Sequence, residues 1–313
     1  MNEPLQWGAE SLWQQLEPLL PGLSVEVVAR SASTNTALLE RARVCVEPAT
    51  EELVQVRKSI ESAAFGRRAA DVQPCLLVAE HQTGGRGRMG RVWQAAAGAS
   101  LTFSLSLPMN PPDWSGLSLA VGVALADALE PLRRARAPYI GLKWPNDLWL
   151  MDAPPQADNS TLPLGRKLGG ILIETVMAGP TRLAVVGIGL NVLPLPLEEL
   201  SSGYACLQEL NPAASAPWAL WQVAAPLVRA LREFEHHGFA PFSERFAARD
   251  LLRGRAVTTS QASLPEGVAQ GVSPTGALRV QTGSGLHEVS SGEVSVRLDR
   301  GADAPDTEIP ASC

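Results

Sequence analysis

Lysine is almost absent from this chain: Lys58, Lys143 and Lys167 are the only three among 26 basic side chains. Arginine takes the rest, and the heavy use of alanine, glycine and proline fits the codon bias of a GC-rich genome. Against that background a retained lysine marks a place where arginine does not substitute, which singles out Lys143 and Lys167. Cysteine is scarce as well. Cys45, Cys75, Cys206 and Cys313 are scattered, with no C-x-x-C pair, which argues against a structural zinc and against a disulfide framework. No apolar run is long enough to span a bilayer and no signal peptide opens the chain, so a reduced cytoplasm is the expected compartment. Positive charge is not in excess either. A net charge of -6 and a pI near 5.4 exclude a general nucleic-acid coat, so any basic site must be local.

What is present is a core. The 313 residues are 45% hydrophobic with a mean hydropathy of +0.03, enough for one large domain and a small one. Basic charge concentrates in Glu80-His81-Gln82-Thr83-Gly84-Gly85-Arg86-Gly87-Arg88-Met89-Gly90-Arg91-Val92-Trp93. Glycines let backbone approach a ligand, arginine forks match carboxylate and phosphate oxygens, and Trp93 offers an aromatic face to a flat ring. The run fits G-x-G-x-x-G, but a dinucleotide fold needs a helix directly after it, and here Ala95-Ala96-Ala97-Gly98-Ala99 leads into an alternating strand. It also fits the kinase glycine loop, but the other kinase landmarks are missing. A plain basic surface loop is the competing reading.

The rest of the chain alternates helix and strand. Leu12 to Leu20 reads as a helix, Val25 to Ala29 as a strand, and Ser33-Thr34-Asn35 as an N-cap or a ligand contact at the entrance to Ala37–Ala42. Cys45 to Gln73 reads as helix and loop, and Pro74 to Glu80 as a buried strand. Leu101, Phe103, Leu105 and Leu107 alternate with Thr102, Ser104 and Ser106, as in a half-exposed strand. Leu117 to Leu132 is an apolar interior helix. Lys143-Trp144-Pro145-Asn146-Asp147 is turn chemistry between apolar runs. It is either a plain turn or a place where Lys143, Asn146 and Asp147 present polar groups, Asp147 to a hard cation such as Mg²⁺. Ala153 to Leu164 reads as an insertion, Arg166 to Glu174 and Leu183 to Val192 as strands, Trp218 to His237 as a long helix, and Phe242 to Leu252 as another. From Arg253 short strands separated by turns suggest a small all-β barrel ending at Val294–Arg297, and Gly301 onward reads as a tail.

In this order, Ser33-Thr34-Asn35, Gly85 to Trp93, Lys143 to Asp147, Arg166-Lys167-Leu168-Gly169-Gly170-Ile171-Leu172, Gly187-Ile188-Gly189-Leu190-Asn191 and the terminal Gly292 to Arg297 resemble the biotin protein ligases. The resemblance covers roughly Val25 to Arg297. It implies an α+β fold: a mixed sheet with helices, related to class II aminoacyl-tRNA synthetases, then a small SH3-like β-barrel. The domains would span 1–252 and 253–300, with a tail at 301–313. Two steps are implied: biotin and ATP give biotinyl-5′-AMP, and biotin then passes to a lysine of the biotin carboxyl carrier domain of a carboxylase.

By the same resemblance Lys167, Arg88 and Arg86 are catalytic. Ser33, Thr34, Asn35, Gln82, Gly85, Arg86, Gly87, Arg88, Lys167 and Gly169 would bind biotin. Arg88, Arg91, Trp93, Asn146, Asp147, Lys143, Asn191 and Arg297 would bind the nucleotide, with Mg²⁺ near Asp147. Met89 stands where family members commonly carry a second basic residue, and His81 where tyrosine is frequent. Some members carry an N-terminal DNA-binding domain; only Met1 to Leu23 precedes these motifs, so a ligase without repressor function, DNA or membrane is expected. Pairing through the catalytic sheet, frequent in the family, makes a homodimer an expectation too. The competing functions are a lipoate or octanoyl ligase or transferase of the same superfamily, and a non-catalytic biotin- or adenylate-binding regulator.

Overall fold

The computed structural model describes residues 5–44, 62–65, 72–130, 138–151, 165–195, 203–259, 264, 266–290 and 296–298. Two sheets organise them. The larger is built from β1 (Ser24–Ser31), β2 (Ser62–Phe65), β3 (Cys75–Gln82), β4 (Ser100–Pro108), β5 (Ile140–Lys143), β6 (Asp147–Leu150), β7 (Arg166–Ala178) and β8 (Thr181–Asn191). Its strand order is β2-β1-β3-β4-β8-β7-β6-β5. Only β1 and β3 run parallel, so the sheet is mixed. Five α-helices are described: α1 (Ala9–Leu16), α2 (Thr34–Val44), α3 (Leu117–Leu129), α4 (Ala216–His237) and α5 (Ser243–Ala247). None is long and apolar enough to cross a membrane.

The core lies where α3 and α4 cover the leucine face of the central strands. Leu101, Phe103, Leu105 and Leu107 are buried there with Val121, Leu125, Leu227 and Leu231. The expected half-exposed strand is not found: Thr102, Ser104 and Ser106 are buried as well. The reason is position. β4 sits fourth of eight strands, α2 packs on its other face, and the hydroxyls take protein partners instead of water. Two further expectations are corrected. Part of the stretch read as helix and loop forms β2, antiparallel to β1. The helix expected to Leu252 stops at Ala247, after which Asp250 forms an isolated bridge with Leu142 of β5. The insert at 153–164 lies outside the described residues.

The smaller sheet comprises β9 (Ala256–Thr259), β10 (Glu266–Val272), β11 (Leu278–Thr282), β12 (Gly285–Val289) and β13 (Val296–Leu298), in order β12-β11-β10-β9-β13. Its Val257, Ala269, Leu278, Val280 and Val289 join the main core. The indole of Trp144 donates to the carbonyl of Gly276 at 3.1 Å, tying the β5–β6 turn to this sheet.

Candidate active site

The glycine–arginine stretch is a hairpin laid beside the large sheet. Gly87 N donates to Arg91 O at 2.7 Å, Trp93 N donates to Gly85 O at 2.9 Å, and Arg86 bridges Val92. Gly85 is required by that closeness, because a Cβ there would stand 2.4 Å from the carbonyl oxygen of Trp93. The tip, Arg88–Gly90, is a tight turn in which Met89 takes left-handed backbone angles (φ 54°, ψ 36°). No helix follows, which removes the dinucleotide-fold reading. Met89 and Val92 are 66% and 76% exposed.

Beneath the hairpin the sheet presents a floor of glycines. A Cβ on Gly189 would stand 2.4 Å from the indole of Trp93, and one on Gly187 would stand 2.1 Å from Oδ1 of Asn35. These two positions of β8 therefore admit the Trp93 ring and the start of α2. Trp93 Nε1 is buried without a hydrogen-bond partner.

At one end of the resulting pocket the polar groups are held by each other. Thr34 donates through its backbone N–H to Gln82 Oε1 at 2.7 Å, and its hydroxyl lies 2.6 Å from Ser104 Oγ. Ser104 donates to Asn35 Oδ1 at 2.6 Å. Ser33 Oγ accepts from Thr36 N at 3.4 Å, so it caps α2 and lines the pocket at once. Leu172 adds apolar wall.

The other end is charged. Arg86, Arg88, Arg91 and Lys167 line the pocket against one lining carboxylate, Asp147. Lys167 Nζ is 2.9 Å from Asp147 Oδ1 and 5.9 Å from the centroid of the Trp93 ring. Burial holds the Arg88 guanidinium below its ordinary pKa, Asp147 works against that, and Arg91 adds to it. Asn146 donates to Ile171 O at 2.7 Å and accepts from Ile171 N through its own carbonyl at 3.0 Å, which fixes the turn to β7.

Most of the expected site residues thus converge. Ser33, Thr34, Asn35, Gln82, Arg86, Gly87, Arg88, Arg91, Trp93, Asn146, Asp147 and Lys167 line one pocket. Five do not. Gly85 shapes the hairpin from behind, and a Cβ on Gly169 would press on Gly189 and Leu190. Lys143 Nζ sits 4.7 Å over the Trp149 ring. Asn191 is buried and donates to the carbonyls of Lys167 and Ala205 at 3.1 and 3.0 Å. Arg297 lies on β13, paired with Thr258 of β9. Sequence reasoning missed Ser104 and Glu174; the regular polar phase of β4 was the available signal for Ser104, since buried hydroxyls need partners.

A polar recess joined to a cationic mouth with an aromatic plate is suited to a small neutral head group, an acidic tail and a nucleotide. The Biotin/lipoate A/B protein ligase family model matches residues 67–191, and the Biotin protein ligase C terminal domain model matches residues 255–297. Fold and pocket therefore place the chain in the biotin and lipoate ligase class. A Biotin--[acetyl-CoA-carboxylase] ligase of Mycobacterium tuberculosis is 33% identical over 298 residues, covering 92% of this chain and 91% of that protein. The Bifunctional ligase/repressor BirA of Salmonella typhimurium is 33% identical over 226 residues, 70% of this chain and 66% of its own. Among solved structures, a biotin protein ligase from Aquifex aeolicus in complex with biotin and ATP aligns with a TM-score of 0.62 at 25% identity, covering 88% of this chain and 98% of that one. The chain belongs to the biotin protein ligase family, enzymes that use ATP to join biotin to protein.

Proposed function

We propose that this chain activates biotin as biotinyl-5′-AMP and transfers it to a lysine of the biotin carboxyl carrier domain of a carboxylase, with 1–252 as the catalytic unit and 253–300 as an SH3-like barrel. The observation that carries this reading is the junction of the two ends of one pocket at Lys167 and Arg88. Biotin's ureido ring meets the hydroxyls of Ser33 and Thr34 and the amide of Gln82. Its aliphatic tail runs along Leu172 and the glycines of β8 toward the cations. There a carboxylate oxygen attacks the α-phosphorus of ATP, the bond to the β-phosphate oxygen breaks, and pyrophosphate leaves.

Two anions must meet in that step, so preorganised positive charge is the chief requirement. Arg88, Arg91 and Lys167 supply it, and Trp93 offers its face to the adenine. Asn191 acts from behind, holding the strand that carries Lys167. Asp147 and Asn146, which line this wall, are oxygen donors that would hold a Mg²⁺ ion beside the phosphates. When bound, the ion would screen phosphate charge. In the second step the acceptor amine, having lost its proton, attacks the acyl carbon and AMP departs. Biotin-dependent exchange of labelled pyrophosphate into ATP tests the first step. Exchange driven by lipoate and not by biotin would favour the lipoate reading.

A further inference from the structure

Arg86, one of the cations of the pocket, pairs with a carboxylate outside the pocket wall. Its Nη2 donates to Glu174 Oε1 at 2.9 Å and its Nη1 to Glu174 Oε2 at 3.4 Å, a fork meeting a fork. The same Nη1 donates to Thr36 Oγ1 at 3.1 Å. Glu174 Oε2 also accepts from Asn35 Nδ2 at 3.1 Å. One carboxylate on β7 therefore joins three segments: its own strand, the first turn of α2 and the glycine–arginine hairpin. Asn35 is itself locked by Ser104 and by the carbonyl of Leu172 at 3.2 Å.

The hairpin's backbone bonds set its shape, and its position over the sheet is a separate matter. The guanidinium of Arg86 reaches from the hairpin to the recess wall, and its charge is matched there by Glu174. We infer that Glu174 is a positioning residue that, through Arg86, clasps the hairpin over the recess end of the pocket. That the recess holds biotin rests on the function proposed above; the clasp itself does not.

The test uses the full chain as wild type, Glu174→Gln, Arg86→Met and the double variant. Two quantities are read: backbone amide exchange without ligand at Thr83 and Gly84, which donate to the carbonyls of Ser31 and Ala32 at 3.0 and 2.8 Å and so tie the root of the hairpin to the segment before α2, and the KM for biotin against that for ATP in pyrophosphate exchange. Each single variant should speed exchange at both amides about three- to ten-fold, the range expected of a half-exposed bidentate pair. The biotin KM should rise by a similar factor and the ATP KM by less than about two-fold. The double variant should be no worse than the singles, because both remove one interaction. Exchange at wild-type rates in either single variant, or effects that multiply in the double, would overturn the inference. A wild type lacking biotin-dependent pyrophosphate exchange would defeat the proposed function, and amide exchange would still decide the clasp.

Discussion

Lys167 and Arg88 address the same carboxylate, Asp147, one by a direct ion pair and the other through space. Burial and the neighbouring Arg91 both disfavour the charge on this guanidinium, so an anion placed beside it is held firmly, and the adenylate phosphate is such an anion. Replacing Arg88 by glycine should therefore weaken retention of biotinyl-AMP, and its release into solution should rise roughly ten-fold. Chromatography of the released adenylate in single-turnover reactions measures it; release at the wild-type rate would remove Arg88 from that role. At this scale much of the site could be read from residue types in order. The serine, threonine and glutamine of the recess, the three arginines and both motif lysines stand out in the sequence, and all of these but Lys143 line the pocket. What stayed hidden were partnerships. Nothing in the string Ile173-Glu174-Thr175 says that Glu174 meets an arginine 88 residues away.

Strand β8 carries the sharpest test at the level of elements. Gly187 and Gly189 lie two residues apart and so share one face of the strand. Methyl groups on them would strike different objects, Asn35 in one case and the Trp93 ring in the other. Gly187→Ala should raise the KM for biotin about ten-fold, and Gly189→Ala should do the same for ATP, each sparing the other substrate. Equal effects on both substrates would mean that the two glycines serve only the packing of the sheet. The existence and type of elements were legible where hydrophobic rhythm was strong, as in α3, α4, β7 and β8, although β7 runs on to Ala178 and α3 ends at Leu129. They were not where tertiary position overrode rhythm: β4 alternates like a surface strand yet is buried on both faces.

Between the two sheets lies Asp250, half-buried as a residue, its Oδ1 accepting from Leu252 N at 2.9 Å and its Oδ2 buried, with no hydrogen-bond partner among the described residues. Burial pushes its pKa up from 3.8 to about 6, with the Leu252 and Arg253 amides and the Arg253 charge working the other way. Between about pH 4 and pH 6 the folded chain thus binds more protons here than the unfolded chain, so this group's contribution to stability falls as pH rises through that window. Asp250→Asn should be the more stable form at pH 7.5, by an amount on the order of 3 kcal/mol at most. The difference in melting temperature between the two proteins should shrink as pH is lowered to 4. A pH-independent difference would contradict the argument. No pattern in the sequence marks this residue, because its environment is made by two elements far apart in the chain, β5 and β10.

All three scales meet in the claim that one pocket forms an adenylate and hands biotin to a protein. The most direct measurement is transfer of labelled biotin to a purified biotin carboxyl carrier domain with ATP and Mg²⁺, comparing wild type with Lys167→Ala. The account predicts ATP-dependent labelling of the acceptor by the wild type and its loss in the variant, with the fold unchanged by circular dichroism. Labelling that survives in Lys167→Ala, or a wild type that binds biotin and never transfers it, would contradict the account.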